Sequence, residues 1–391
     1  MAWEQIIGLN KEKQLLQKAL ITQRLASAYC FLGIEGVGKD AMALELAKTA
    51  NCYEPIISNF NENSNSDKTA DNDYFANQTI SACDSCKSCR MANSFSHPNI
   101  QYIFAMPTGD KITDEQDEAI KDEIKEKIKD KYHKISIPNA KQINISLIRK
   151  VKKNAALSSA NKGRSFVIIS NGDLMNTEAA NAFLKTLEEP QANTTIIITS
   201  SQKEKLLQTI LSRCQQIYFN PLHSNEIAEY LVSQHSKTEA ESKLIAAFAQ
   251  GSILKAVESF DDDMNLLRSE AVDVLRIAFK RKLYRIELLD FLDKLLSKKD
   301  KKHYSLFLNL LLIWFRDVYT IGVLQNMDLI INVDLSERMS KFYNGFPNAD
   351  FHKAIFHIEN AINKIDYNID PKLVFISLFV ELRRIFLGID N

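Results

Sequence analysis

Short apolar runs rich in β-branched and aromatic residues recur along the first half of the chain, at 29–32, 100–104, 166–169, 195–199 and 216–219, with helical periodicities between most of them. That alternation predicts parallel strands buried on both faces and joined by crossover helices. Ala180, Phe183, Leu184 and Leu187 follow i, i+3, i+4 and i+7, Glu178 falls in the first turn, and Pro190 supplies the stop, so a helix is expected over 177–189. After Pro221 the strand pattern ends. The rest reads as helices, among them 226–233, 242–249, 264–280, 304–323 and 371–387.

Two segments interrupt the α/β pattern and read as insertions. Residues 58–78, rich in Asn, Ser and Asp, are expected to form a mobile loop. Residues 110–134 mix Lys, Glu and Asp densely and suit an exposed helix in which Asp122 pairs with Lys125 and Glu123 with Lys127, although Glu118 and Asp122 set like charges together. A turn at Gln250-Gly251-Ser252 and the acidic stretch Asp261-Asp262-Asp263 mark boundaries. The expected organisation is an α/β domain over 1–220, a small helical lid over 221–262 and an all-α domain over 263–391. A chain of 391 residues has length enough for two or three cores.

Charge narrows the function classes. With 49 basic and 49 acidic residues no global field advertises nucleic acid, so any DNA contact must be local. One local candidate is Arg149-Lys150-Val151-Lys152-Lys153, which either faces DNA phosphates or forms a solvated helix face. No uninterrupted apolar stretch of about 18 residues and no leader pattern is found, which leads us to expect a cytoplasmic protein with no membrane contact.

The segment Gly33-Ile34-Glu35-Gly36-Val37-Gly38-Lys39 matches G-x-x-x-x-G-K, whose backbone N–H groups can wrap phosphates while the lysine reaches the terminal ones. The next residue should be Ser or Thr to ligate Mg²⁺, but here it is Asp40, a carboxylate close to where triphosphate oxygens would lie. Binding of ATP and Mg²⁺ is thereby compromised; the alternative is a loop that merely joins strand to helix. A working ATPase also needs an acidic pair ending a hydrophobic strand. The strand 166–169 runs instead into Ser170 and Asn171, while Asp173 comes three residues late and suits a turn.

Cys83-x-x-Cys86-x-x-Cys89 places three thiols at a spacing that grips one ion, with Cys52 as the nearest upstream fourth ligand and His97 in reserve. Four thiolates point to tetrahedral structural Zn²⁺ in a module over 52–97, the alternative being free or redox-active cysteines. Cys30 and Cys214 read as small buried residues. Arg213, in Ser212-Arg213-Cys214, reads by itself as a surface or salt-bridge residue.

Over roughly residues 3–260 the chain resembles the bacterial clamp-loader family, the AAA+ subunits of the DNA polymerase III holoenzyme. The resemblance rests on Ile6-Ile7-Gly8, Ala28-Tyr29 leading into the P-loop, the run from Asn176 through Lys185-Thr186-Leu187-Glu188-Glu189-Pro190, and Thr209-Ile210-Leu211-Ser212-Arg213-Cys214. It implies an AAA+ P-loop sheet with helices on both faces, a lid, and a helical collar through which members form a pentamer. It also implies that Arg213 acts in trans on a neighbour's ATP and that Cys52, Cys83, Cys86 and Cys89 hold zinc, although the gap after Cys52 is longer than the family's. The departures at Asp40, Ser170 and Asn171, with Leu254 where a lid arginine is expected, favour a delta-prime-type subunit. Such a subunit works with gamma/tau and delta partners, the sliding clamp and primed DNA while hydrolysing little ATP itself. The competing readings are an ATP-hydrolysing gamma/tau-type motor and a zinc-bearing adaptor outside replication.

Overall fold

A computed structural model describes residues 3–59, 78–107, 113–148, 163–258, 264–297 and 300–388. The basic stretch 149–153, the acidic stretch 261–263 and most of the first insertion, 60–77, lie outside the described residues. The chain divides into two compact units, Met1–Tyr230 with Ala249–Val257, and Leu231–Phe248 with Glu258–Asn391.

The first unit is built on a five-stranded sheet, β1 (Ala28–Gly33), β4 (Ile100–Ile103), β5 (Ser165–Ile169), β6 (Thr194–Ser200) and β7 (Gln215–Phe219), in the order β4-β5-β6-β1-β7. All pairings are parallel. Every residue of β5 and β6 is buried, which requires cover on both faces and explains why these strands read as unbroken apolar runs. This is the AAA+ arrangement, with the P-loop strand β1 between β6 and β7. The helices of this unit begin with α1 (Asn10–Ile21), α2 (Lys39–Ala50), α3 (Lys87–Asn93) and α4 (Asp114–Lys129). They continue with α5 (Thr177–Glu188) and the single turn α6 (Gln208–Leu211). In α5, Ala180, Phe183 and Leu187 pack with Val167, Ile169 and Ile198, and Asn176 Oδ1 caps the helix by accepting the Ala179 N–H at 2.8 Å.

Both insertions differ in part from expectation. The ends of the first pair as an antiparallel ribbon, β2 (Ile56–Asn59) with β3 (Gln78–Ser81), so Ser58, Asn59 and Gln78 are strand and not loop. The second does form α4, started by a capping box between Thr113 and Gln116, and Asp122 pairs with Lys125 at 2.8 Å. Glu123 and Lys127 do not pair. Glu123 takes His133 Nε2 at 2.9 Å, and Lys127, only 2% exposed, turns inward to donate to the carbonyls of Lys131 at 2.7 Å and His133 at 2.5 Å. Carbonyls just past a helix C-terminus lack helical partners and attract a cation, so the helix is anchored on one face and not wholly solvated.

Helices α7 (Ser224–His235), α8 (Glu239–Ala249) and α9 (Ile253–Glu258) follow the sheet. The second unit is otherwise made of α10 (Met264–Ala278), α11 (Tyr284–Leu296), α12 (Lys301–Tyr319), α13 (Ser336–Gly345), α14 (Phe351–Asp366) and α15 (Pro371–Leu387). The stretch His303–Leu324 is long and apolar enough to cross a membrane by length and composition alone. Phe307, Leu308, Leu311, Phe315 and Val318 are nevertheless completely buried, and Phe307 and Phe315 pack against Phe375 and Phe386, so this helix forms the unit's core.

Candidate functional site

Helix α2 carries candidate chemistry at both of its ends. At its start, Gly36 (φ +77°) and Gly38 (φ +105°) hold the left-handed backbone that a P-loop needs. Lys39 is present but turned back on its own loop, donating to the carbonyls of Gly33 at 2.8 Å and Ile34 at 2.7 Å. Asp40 is also engaged. Its Oδ2 accepts the hydroxyls of Ser170 at 2.7 Å and Tyr102 at 2.9 Å, and its Oδ1 accepts that of Thr199 at 2.7 Å. Burial is the largest single influence on this carboxyl and pushes its pKa up. The Lys127 ammonium, the Thr199 and Ser170 hydroxyls and Lys39 together outweigh burial and hold it below the usual carboxylate range. Ser170, at the end of β5, thus serves as a donor to an acid on α2, the reverse of the polarity a metal-holding strand end would have.

The second insertion closes over this loop. A Cβ on Gly38 would meet the Tyr132 ring at 3.0 Å, the Tyr132 hydroxyl accepts the Ile7 N–H at 2.9 Å, and Lys134 pairs with Glu35 at 2.5 Å. From the other side Ile253 N donates to Gly36 O at 3.0 Å, and a Cβ on Gly36 would meet Leu254 Cβ at 2.5 Å. Leu254, where a lid arginine is expected, therefore contributes only an apolar contact. The remaining cavity, lined by Gly36, Lys39, Asp40, Lys127, Tyr132 and Asn171 among others, measures about 40 Å³. Ligand pockets usually offer roughly 300–1,000 Å³. Asp173 does not line this cavity, and its Oδ1 accepts Ser200 Oγ at 2.7 Å.

Just beyond the other end of α2 the four cysteines converge. The sulfurs of Cys52, Cys83, Cys86 and Cys89 all lie within 4.8 Å of one another, with Cys52 to Cys83 at 3.5 Å and Cys83 to Cys89 at 4.0 Å. A tetrahedron with metal–sulfur bonds of about 2.3 Å has edges of about 3.8 Å, so the donor set fits one ion. Backbone N–H groups of Cys83, Cys86 and Cys89 donate to the sulfurs of Cys52, Cys83 and Cys86 at 3.3–3.4 Å. Bonds from Ser85 and from the Cys86 N–H bring the Cys83 thiol down to about 6, whereas burial raises Cys89. Four adjacent thiols ionise together only around a cation. His97 is not the reserve ligand. Its Nδ1 accepts the Asn99 N–H at 3.1 Å, which leaves Nε2 protonated towards Ser88 Oγ at 3.0 Å. Lys48 fastens the cluster to α2 through Glu45 at 2.9 Å and Asp84 at 2.5 Å. Cys30 and Cys214 are buried away from the cluster, their thiols pushed by burial to about 12.

Arg213 stands between α6 and β7. Its Nη2 meets Glu188 Oε1 at 2.8 Å and its Nη1 donates to Thr209 O at 3.0 Å, with the side chain 37% exposed. Gln215, which opens β7, is in register with Tyr29, and Phe219, which ends it, with Gly33 at the start of the P-loop. Arg213 and the P-loop thus occupy opposite ends of the strands, separated by roughly 15–20 Å at about 3.3 Å per residue. The guanidinium cannot serve its own loop.

Tyr102, Thr199, Lys127 and Tyr132 join the P-loop without any sequence signal that marks them as its partners. Thr199 alone could have been suspected, as a polar residue at the end of a buried strand.

The family described as "DNA polymerase III, delta subunit" matches residues 8–223. A DNA polymerase III subunit delta′ of Bacillus subtilis is 26% identical over 344 residues, covering 87% of this chain and 86% of that protein. A subunit delta′ of Pseudomonas aeruginosa is 26% identical over 77% of this chain and 72% of its own length. A gamma/tau subunit of Mycoplasma genitalium is 24% identical over 70% of this chain but 37% of its own. A crystal structure of a gamma-subunit-related protein of Thermotoga maritima aligns with 95% of this chain and 99% of its own at 16% identity and a TM-score of 0.41. The family match spans more than half of the sequence, and this chain belongs to the DNA polymerase III delta-subunit family, in its clamp-loader delta-prime branch.

Proposed function

We propose that this chain is a delta-prime-type subunit that takes part in ATP-driven loading of a sliding clamp on primed DNA, in a cytoplasmic hetero-pentamer with gamma/tau and delta partners. On this reading its own P-loop is silent, and its contribution to hydrolysis is Arg213, inserted into a neighbour's ATP site. The observation that carries the silence is Asp40: a carboxylate stands where the metal-binding hydroxyl belongs, satisfied by Ser170, Thr199 and Tyr102. Its separation from the P-loop along β7 is what supports a role for Arg213 in trans. A planar guanidinium with donors to spare neutralises charge on a transferring phosphoryl group. The cysteines would hold Zn²⁺, which at a closed four-thiolate site fastens the backbone and leaves no position open for water. Residues 221–262 and 263–391 would act as lid and collar.

Reconstitution with motor and delta subunits tests this. Arg213→Ala is expected to depress turnover at the adjoining ATP site by a factor on the order of 10³–10⁵ and to lower steady-state hydrolysis and clamp loading, while the isolated subunit stays folded. Unchanged turnover would refute the finger. Robust, Lys39-dependent hydrolysis by the isolated chain would refute the silent site and favour a motor of the gamma/tau type.

A further inference from the structure

Helices α10, α12 and α13 of the second unit flank an open-sided cavity of about 200 Å³, five times the space left at the P-loop and apart from every residue discussed above as functional. Its walls are aromatic: Phe279, Trp314, Phe342 and Phe346 line it, with Trp314 and Phe342 centroids 4.6 Å apart and Phe342 and Phe346 5.0 Å apart. Two exposed arginines, Arg276 and Arg338, line it as well. Arg276 makes one solvent-exposed contact with Asp273 at 3.1 Å, of the kind that competes poorly with a better acceptor, and no ion pair of Arg338 occurs among the described residues. Trp314 is 4% exposed, and its indole N–H has no acceptor among the described residues. Buried donors are seldom left so, because an unmade bond forfeits solvation without return.

These features select a ligand. An apolar cavity of roughly 150 Å³ is enough for a benzene ring, so this one has room for a phenylalanine-sized side chain, and its tilted rings favour an aromatic over an aliphatic guest. The guanidinium forks select a carboxylate. We propose that this cavity binds an acidic peptide segment carrying an aromatic side chain, the ring lying against the wall formed by Phe279, Trp314, Phe342 and Phe346 and a carboxylate meeting Arg338 and Arg276. Charge complementarity makes a peptide of this composition the occupant we favour over a second copy of the chain.

The chain holds two tryptophans, so Trp3→Phe leaves Trp314 as the sole indole reporter. Titrating that full-length variant with N-acetyl-Asp-Asp-Phe is expected to shift Trp314 emission saturably. Replacing Phe by Ala in the peptide, or both Asp by Lys with an amidated C-terminus, should each weaken binding by about tenfold or more. Arg338→Glu and Arg276→Glu, at exposed positions, should do the same with unchanged melting. Anisotropy of a dye-labelled copy of the peptide reads the same binding in the protein with Trp3 intact. The proposal is overturned by the absence of a saturable shift, by equal binding of the basic peptide, or by indifference to both arginine variants. Concentration-dependent self-association that buries Trp314 and that the peptide fails to disturb would also overturn it, by assigning the cavity to a second copy.

Discussion

The two ends of helix α2 make an instructive pair. At its N-terminus Lys39 and Asp40 have the identities of ligand-binding groups, but every hydrogen bond identified for them is made within the protein: two loop carbonyls for the lysine, three hydroxyls for the carboxylate. Just past its C-terminus Cys52 joins three sulfurs whose protein partners, beyond one another, include backbone N–H groups, which favour thiolates without occupying the position a cation would take. A motif therefore reports chemistry only when its polar atoms are left something to bind. The P-loop has kept its shape and used up its valences; the cysteine knuckle has kept both.

The contrast can be broken most forcefully at the cysteine end. Cys89→Ala, or exhaustive treatment with a strong chelator, should abolish bound metal and cost about 4 kcal/mol or more, lowering the melting temperature of the first unit by roughly 10 °C. Elemental analysis and thermal denaturation check this; metal-free purified protein with an unaltered melt would place the P-loop and the cluster in the same inert class.

At the other end, Lys127→Met removes the strongest favourable charge acting on Asp40 and leaves two carbonyls without their donor, and should cost about 2–4 kcal/mol in denaturant unfolding. Adding Asp40→Asn should restore part of that loss, because the two sites are coupled. Strict additivity would show that Lys127 matters only for packing.

A smaller effect sharpens the same picture. Burial, helped by Lys127, lowers the Lys131 ammonium to about 8. The folded state then binds fewer protons than the unfolded chain between that value and the ordinary lysine range, so stability should rise as pH climbs from about 8 towards 10. In Lys131→Met this rise should diminish, which unfolding curves across that window will show; an identical slope in both proteins would remove Lys131 from the buried cluster around the P-loop.

Much of this was legible in the chain itself. The five strands of the sheet, the helix over 177–188, the α-helical second half and the C-x-x-C-x-x-C spacing are local patterns, because burial on two faces demands unbroken apolar runs and helical packing demands a 3.6-residue period. That Asp40, Ser170 and Asn171 stand where a metal-dependent ATPase would carry a hydroxyl and an acidic pair was equally local, a matter of residue identity at three positions. What the sequence could not say was where displaced charges go. Lys127 scans as one more solvated lysine on a charged helix, and only the fold shows it reaching under the P-loop towards Asp40. Glu123 and Lys127 have helical spacing but choose other partners, since carbonyls beyond the helix end bind an ammonium better than a solvated carboxylate does. His97 could have been a ligand by spacing and is excluded by two hydrogen bonds. Element type follows from periodicity along the chain, whereas the fate of each polar group depends on partners anywhere from 2 to 159 residues away, and only the tertiary structure decides which of them come within bonding distance.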